Sequence, residues 1–433
     1  MLLEELAAKH ERNPIPFLVS STESLTFNDV LAASEIDLSQ VRSGDVVALV
    51  GDFSPSVINA LLRLIDGKAI IVPLSADTRA SFPYFFESAG VDVLIEDGVA
   101  RRVRGVRLDH PMLDELRCGG SSGLVLFSSG TTGKPKAILH NFDSFLVRFR
   151  TPRPALKTLN FLLFDHIGGI NTLLHTIFNC GTVVIPSARQ PEQVANDLER
   201  HQVELLPTTP TFLRMLLFSG LIESRRKAFA SLRVVTYGTE AMDQNTLDRL
   251  CAALPHVDFR QTYGMSELGI LRIKSRARDS LYLAVGGEGI ETQIDDRGVL
   301  LIRARFRMLG YLNAPQPFRN GWYDTGDIVE SDGSWIRITG RSNQIINVGG
   351  IKILPTEVER IALLHPDVVR CSARSAPNPI TGQHVEVVCE PRTGVDLNRA
   401  ALKFHFAAHM QESVRPHRIR IGAVDYNHRF KKA

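Results

Sequence analysis

Apolar and polar positions follow two different rhythms along this chain. Up to about residue 270, short apolar runs are separated by stretches with helical spacing. "DVVALVG" (45–51) is a compact apolar run closed by a glycine and predicts a buried strand. "SVINALLRLIDGKA" (56–69) sets its apolar residues at helical intervals and stops at Gly67, and "IIVPL" (70–74) follows as the next strand. A strand–helix–strand unit implies a parallel sheet. The pattern recurs, with strands at 91–97, 123–129, 182–186 and 232–238 and helices at 170–181, 191–202 and 243–254.

Beyond residue 270 the rhythm changes. "GIETQIDDRGVLLIRARF" (289–306) alternates around a DRG turn and predicts a β-hairpin, and "GSWIRITGR" (333–341) a short strand after a turn. From about 344 a smaller unit begins, with "IINVGGIKILP", a helix in "PTEVERIALL", "VVRCSAR", "HVEVVCE" and a helix near 397–412. The expected class is α/β. A large N-terminal domain (1–341) of mixed and parallel sheets with helices and a β-rich subdomain is joined by a hinge to a small α+β C-terminal domain (344–433). No repeat or low-complexity segment breaks this pattern.

Composition narrows the function classes. With 433 residues, 44% hydrophobic and 22% charged, the chain can bury more than one core. A net charge of +3 is too mild to point to nucleic acid. No apolar run approaches a membrane span. The start, "MLLEELAAKHERNP", lacks the basic-then-apolar order of a signal peptide, and the five cysteines are odd in number, widely spaced and without CxxC. Both features fit a cytoplasmic protein with reduced thiols.

"LFSSGTTGKPKAILH" (126–140) raises the first chemical question. After an apolar strand end come Ser128, Ser129, Gly130, Thr131, Thr132, Gly133, Lys134, Pro135 and Lys136. Small residues let a backbone approach a ligand, hydroxyls and N–H groups donate, and lysines supply charge; together they suit a polyphosphate. A Walker A loop does not fit, because Ser128 stands where its first glycine belongs and Pro135 where its magnesium-binding hydroxyl belongs. A polar surface loop between a strand and a helix is the plainer alternative.

The stretch resembles the phosphate-binding loop of the adenylate-forming superfamily, which comprises acyl-CoA synthetases, aryl and fatty acid ligases and adenylation domains. Further matches follow in order. "QTYGMSE" (261–267) looks like the family's N-x-Y-G-x-T-E, with Gln261 for Asn, Thr262 at the free position and Ser266 for Thr. The resemblance implies that Tyr263 offers its ring to adenine, Gly264 permits a turn, Ser266 donates to phosphate and Glu267 holds Mg²⁺. Read alone, the same residues are better taken as a helix beginning at Ser266. "YGTEA" (237–241) puts Gly238, Thr239 and Glu240 where the family lays a glycine-rich segment against adenine and the acyl pocket; read alone, it is a glycine-terminated strand. "GWYDTGD" (321–327) matches G-W-x-x-T-G-D, which implies that Asp327 accepts from the ribose hydroxyls. In "GRSNQIINVGGIKILPTEVE" (340–359), Arg341 matches the residue that contacts ribose and phosphate. Asn343 or Gln344 replaces the family's hinge aspartate, and Gly349, Gly350 and Lys352 lie on the face that meets the thiol acceptor. The resemblance spans almost the whole chain.

Three segments depart from the pattern. The large domain is trimmed before residue 120. The end, "DYNHRFKKA", offers Lys431 for the family's terminal lysine, with Phe430 in place of glycine and Lys432 as the alternative; a plain basic tail is the other reading. "LLFDHIGGINTLLH" (162–175) sits where the family has its acyl-pocket motif, so His166 is expected to close the pocket by the carboxylate. Asp165 either faces an amine or hydroxyl on the substrate or caps the turn before "GGINTLL", and the turn is the preferred reading.

The chemistry implied is attack of a carboxylate on the α-phosphate of ATP, giving an acyl-adenylate and pyrophosphate, then transfer to a thiol. Such a reaction needs orientation and charge neutralisation rather than a protein nucleophile. Thr131, Thr132 and Lys136 are expected on the β- and γ-phosphates, Glu267 on Mg²⁺, and Lys431 between carboxylate and α-phosphate. The partners expected are ATP, Mg²⁺, a carboxylic acid (a small aromatic or unsaturated one) and either coenzyme A or the phosphopantetheine of an acyl carrier protein. An amino-acid adenylating enzyme and a non-catalytic nucleotide-binding relative are the alternatives.

Overall fold

The computed structural model describes residues 2–425 apart from 14, 34, 104–107, 129–132 and 393. Two seven-stranded sheets carry most of the first 270 residues. In one, Gly123–Phe127, Ile70–Leu74, Val46–Val50 and Val93–Glu96 run parallel. Antiparallel Ala137–Asn141 and Gly310–Tyr311 extend one edge, and Val99–Arg102 the other. In the second, Asp258–Gln261, Val234–Tyr237, Leu205–Thr208, Lys157–Leu159, Thr182–Val184 and Leu18–Val19 are parallel, and Ser24–Leu25 closes the edge antiparallel.

The helices between strands form for local reasons. Pro55–Asp66 starts with the Ser54 side chain accepting from the Val57 N–H and proline in the first turn, and it ends at Gly67. Val57, Ile58, Leu61, Leu62 and Ile65 form its buried face. Ile167–Phe178 is buried all round except at Asn171 and His175, one turn apart. Such a helix sits between layers, and its two polar positions mark where solvent or ligand reaches it.

The β-rich segment forms a third, antiparallel sheet in the order Ile273–Ser275, Leu283–Val285, Trp335–Arg341, Trp322–Asp332, Val299–Ala304, Ile290–Ile294. The hairpin expected at 289–306 is its last pair. Residues 346–421 build a five-stranded sheet with helices Pro355–Ala362 and Arg399–His409 and a hydrophobic cluster of their own. The five cysteines are free thiols. No described helix is long and apolar enough to cross a membrane.

Candidate active site

The stretch at 128–136 joins two antiparallel strands, with Phe127 opposite Ala137. It is therefore a hairpin connection and not a strand-to-helix loop, because Ala137, Ile138, Leu139 and His140 form a buried run too short for a helix. Ser129, Gly130, Thr131 and Thr132 lie outside the described residues. Ser128 closes the base of the turn: its N–H donates to the Lys136 carbonyl at 3.1 Å, and its Oγ accepts from the Lys136 N–H at 2.9 Å. The Pro135 carbonyl accepts from the Tyr84 hydroxyl at 2.8 Å and from Asn313 Nδ2 at 3.1 Å. Gly133, Lys134 and Lys136 are exposed, with the Lys136 ammonium 4.8 Å above the Tyr311 ring.

The turn at 261–267 does not start a helix. Gly264–Met265 pairs antiparallel with Gly269–Ile270 around Ser266, Glu267 and Leu268. The strands meet so closely that a Cβ on Gly264 would lie 2.5 Å from the Gly269 carbonyl oxygen. Glu267 Oε1 accepts from the Tyr311 hydroxyl at 2.8 Å. This puts a carboxylate beside the aromatic ring that Lys136 covers. Behind it, His140 Nε2 donates to the Ser266 carbonyl at 2.6 Å; a carbonyl only accepts, so Nε2 carries the proton. Burial drives the His140 pKa down to about 4 and keeps the ring neutral.

Asp327 and Arg341 are direct cross-strand partners. Arg341 Nε lies 3.0 Å from Asp327 Oδ1, and the Tyr263 hydroxyl donates to Oδ2 at 2.7 Å. Burial raises the Asp327 pKa, opposed by Arg341 and the Tyr263 hydrogen bond. The Tyr263 ring packs among Leu268, Leu283 and Ile302 and is only 6% exposed, so its hydroxyl is committed to Asp327 while little of its face is open. Three separate sequence motifs thus converge on one carboxylate.

Gly238 is pressed against Thr262, whose Oγ1 would lie 2.2 Å from a Cβ there. Thr239 takes a positive φ of 72°. Glu240 Oε2 accepts from the Thr211 N–H at 3.2 Å, at the start of helix Pro210–Phe218, which is a helix-capping contact. Asp165 is buried, but the cap of helix Ile167–Phe178 is His166: its extended backbone brings Nδ1 within 3.1 Å of the Gly168 N–H. This corrects the expectation that Asp165 caps that turn. A cleft of about 580 Å³ lies alongside, lined by Asn171 and His175 of that helix and by Gln261, Thr262, Ile270 and Leu271. The Gln261 Oε1 atom is buried without a hydrogen-bond partner among the described residues.

Asn343 is exposed in the single turn Ser342–Gln344 between the third sheet and the C-terminal one. Gly349 and Gly350 have φ of 59° and 93° at an exposed hairpin tip, where Asn347 Oδ1 accepts from the Gly350 N–H at 2.9 Å, and Lys352 stands exposed on the returning strand. Lys431 and Lys432 lie outside the described residues. Sequence reading missed His140, Tyr84, Tyr311 and Asn313. Only His140 carried a signal, as a polar residue in an apolar run directly after the loop. No group of three or more potential metal ligands occurs among the described residues. A lone carboxylate such as Glu267 fits a hard cation that takes its other oxygens from phosphates and water.

Comparison with known proteins places the chain in a family. A family model described as AMP-binding enzyme matches residues 4–312. A 4-coumarate–CoA ligase-like protein of Arabidopsis thaliana is 26% identical over 85% of this chain and 76% of its own. A fatty acid–[acyl-carrier-protein] ligase of Mycobacterium marinum is 26% identical over 90% of this chain and 80% of its own. The crystal structure of an anthranilate CoA ligase with anthranoyl-AMP superposes with a TM-score of 0.83 at 20% identity, covering 100% of this chain and 94% of the other. The chain therefore belongs to the AMP-binding enzymes of the adenylate-forming superfamily, a family of AMP-forming acid–thiol ligases.

Proposed function

We propose that this chain activates a carboxylic acid with ATP as an acyl-adenylate, releases pyrophosphate and passes the acyl group to a thiol. The observation that carries the reading is the meeting of Tyr263, Asp327 and Arg341 within 2.7 and 3.0 Å, with Glu267 and Lys136 both at Tyr311. Asp327 accepts from the ribose hydroxyls, and Arg341 spans ribose and phosphate. Lys136, with Ser128, Thr131 and Thr132, neutralises the departing phosphates. Glu267 fits Mg²⁺, which when bound shields the phosphate charge.

The acid's oxygen attacks the α-phosphorus, the bond to the β-phosphate bridge breaks, and pyrophosphate leaves with that electron pair. Orientation and charge stabilisation supply the rate enhancement. His166 stands at the head of the helix beside the acid's cleft, where a ring already fixed by its cap contact can close the carboxylate end. Lys431, or Lys432 beside it, bridges the carboxylate and the α-phosphate. For the second step, residues 344–433 turn about Asn343 and bring Gly349, Gly350 and Lys352 to the thiol. Coenzyme A and a carrier-protein phosphopantetheine both meet the chemical need.

The acid favoured is a small aromatic or unsaturated one; relatives named for coumarate and anthranilate support it. Acid-dependent ATP–pyrophosphate exchange tests the function across aromatic, unsaturated, aliphatic and amino acids. Lys431→Ala and Lys432→Ala are assayed beside the parent, and the one that falls about 100-fold or more identifies the terminal lysine. Turnover confined to α-amino acids would replace this reading with amino-acid activation, and no exchange with any acid would favour a non-catalytic relative.

A further inference from the structure

The cleft beside Gln261 and Thr262 is basic out of proportion to the chain. Six of its lining side chains are Arg148, Arg153, Arg260, Arg272, Lys274 and Arg278, against a single acid, Asp258. Asp258 is already held by Arg260 at 2.6 Å. Arg278 spends its guanidinium on the carbonyls of Cys251, Leu254 and Pro255, at the end of helix Gln244–Ala253. Arg148, Arg153, Arg272 and Lys274 have no acidic partner among the described residues.

Arg148 is the most constrained of the four. It stacks 4.4 Å from the Phe145 ring and donates to the carbonyls of Ile270 at 3.4 Å and Phe306 at 3.2 Å. Its Nε is buried with no hydrogen-bond partner among the described residues. Gly269 makes room for it, since a Cβ there would lie 2.2 Å from Nη1. Burial lowers its pKa to about 10. A guanidinium held this way, desolvated and without a counter-charge, is costly unless something else supplies the charge.

We infer that this cleft receives the far end of the acid and that the acid carries a second negative charge there, as a dicarboxylic or sulfonated carboxylic acid does, met by Arg148, Arg272 and Lys274. The inference rests on the proposed adenylation and names its substrate class. Gln261 and Thr262 line the cleft immediately before Tyr263, and Asn171 and His175 line it from the helix that His166 caps. An acid whose reacting carboxylate lies by His166 would therefore extend along this helix toward the cations. The phosphates of coenzyme A would also suit such charges, but the lining holds no residue beyond 278 and so none from the C-terminal sheet with Gly349, Gly350 and Lys352. That favours the acid.

The test is pyrophosphate exchange on matched pairs: benzoate with terephthalate, cinnamate with 4-carboxycinnamate, hexanoate with adipate, and hexanoate with 6-sulfohexanoate. The account expects kcat/KM at least 10-fold higher for one doubly charged member than for its neutral-ended partner. In the double variant Arg272→Ala/Lys274→Ala that ratio falls 10-fold or more; both side chains are exposed, so folding is spared. Arg148→Met lowers the ratio further, and its melting temperature is measured alongside because the side chain also braces two carbonyls. Exchange confined to neutral-ended acids overturns this assignment alone. A raised KM for coenzyme A in the double variant, with the ratio unchanged, overturns it too. No exchange with any acid overturns the adenylation reading and this assignment together.

Discussion

The turns around Asp327 and the cleft around Arg148 adjoin at residues 261–263, yet they balance charge in opposite ways. At the first, the buried acid Asp327 has a guanidinium at 3.0 Å and a phenol at 2.7 Å. At the second, four cations have no acidic partner among the described residues. The first is a set of paired groups that hold one another in position. The second leaves positive charge to be answered by a ligand. On the proposed function, the contrast separates a part that adenylation requires from a part that selects the acid.

Four perturbations break or sharpen this contrast. Glu267→Gln keeps a partner for the Tyr311 hydroxyl but removes the charge that fits Mg²⁺, so the adenylation rate is expected to fall roughly 10²–10³-fold. Single-turnover pyrophosphate release checks it, and the diacid preference of the cleft should persist. Next comes pH. The His140 pKa is depressed from 6.5 to about 4, so the unfolded chain binds a proton that the folded chain refuses. Its contribution is complete above about pH 6.5 and is lost as pH falls toward 4, by about 3 kcal/mol in total. Urea unfolding of the parent and His140→Gln at pH 7.5 and 5 isolates this, because the variant lacks that share of the decline.

Asp327→Asn removes a charged acceptor and should raise the KM for ATP about 10- to 100-fold, leaving the ranking of acids intact. A change in acid ranking would show that the two regions are not separable. Gly238→Ala forces a methyl against Thr262, at the seam between the regions. It should cost about 1–3 kcal/mol of stability, read as a lower melting temperature, and disturb both KM values together.

The fold was legible wherever the pattern was local. The strands at Val46–Val50 and Ile70–Leu74 and the helix Pro55–Asp66 fall where apolar spacing and Gly67 put them. Helix Pro210–Phe218 and strand Ala137–Asn141 went unread, because each is a short, mostly apolar segment whose length does not separate helical from strand spacing. The residues proposed to face the nucleotide could be singled out because each sits in a compact motif of turn-formers. Tyr311 and His140 were not, since their role comes from tertiary contact with Glu267 and Ser266. The cleft was less legible still. Arg148 lies more than a hundred residues from Arg272 and Lys274, and no local spacing distinguishes the three from ordinary surface cations. The residues proposed to govern substrate choice are those the fold, rather than the motif, brings together.

The most direct test of the central claim is acid-dependent ATP–pyrophosphate exchange with the intact chain, run for the parent and for Asp327→Ala across ATP concentrations. The account predicts exchange that requires both an acid and Mg²⁺, with Asp327→Ala shifting the KM for ATP at least 10-fold upward. Exchange unaffected by loss of Asp327, or absent with every acid offered, would contradict it.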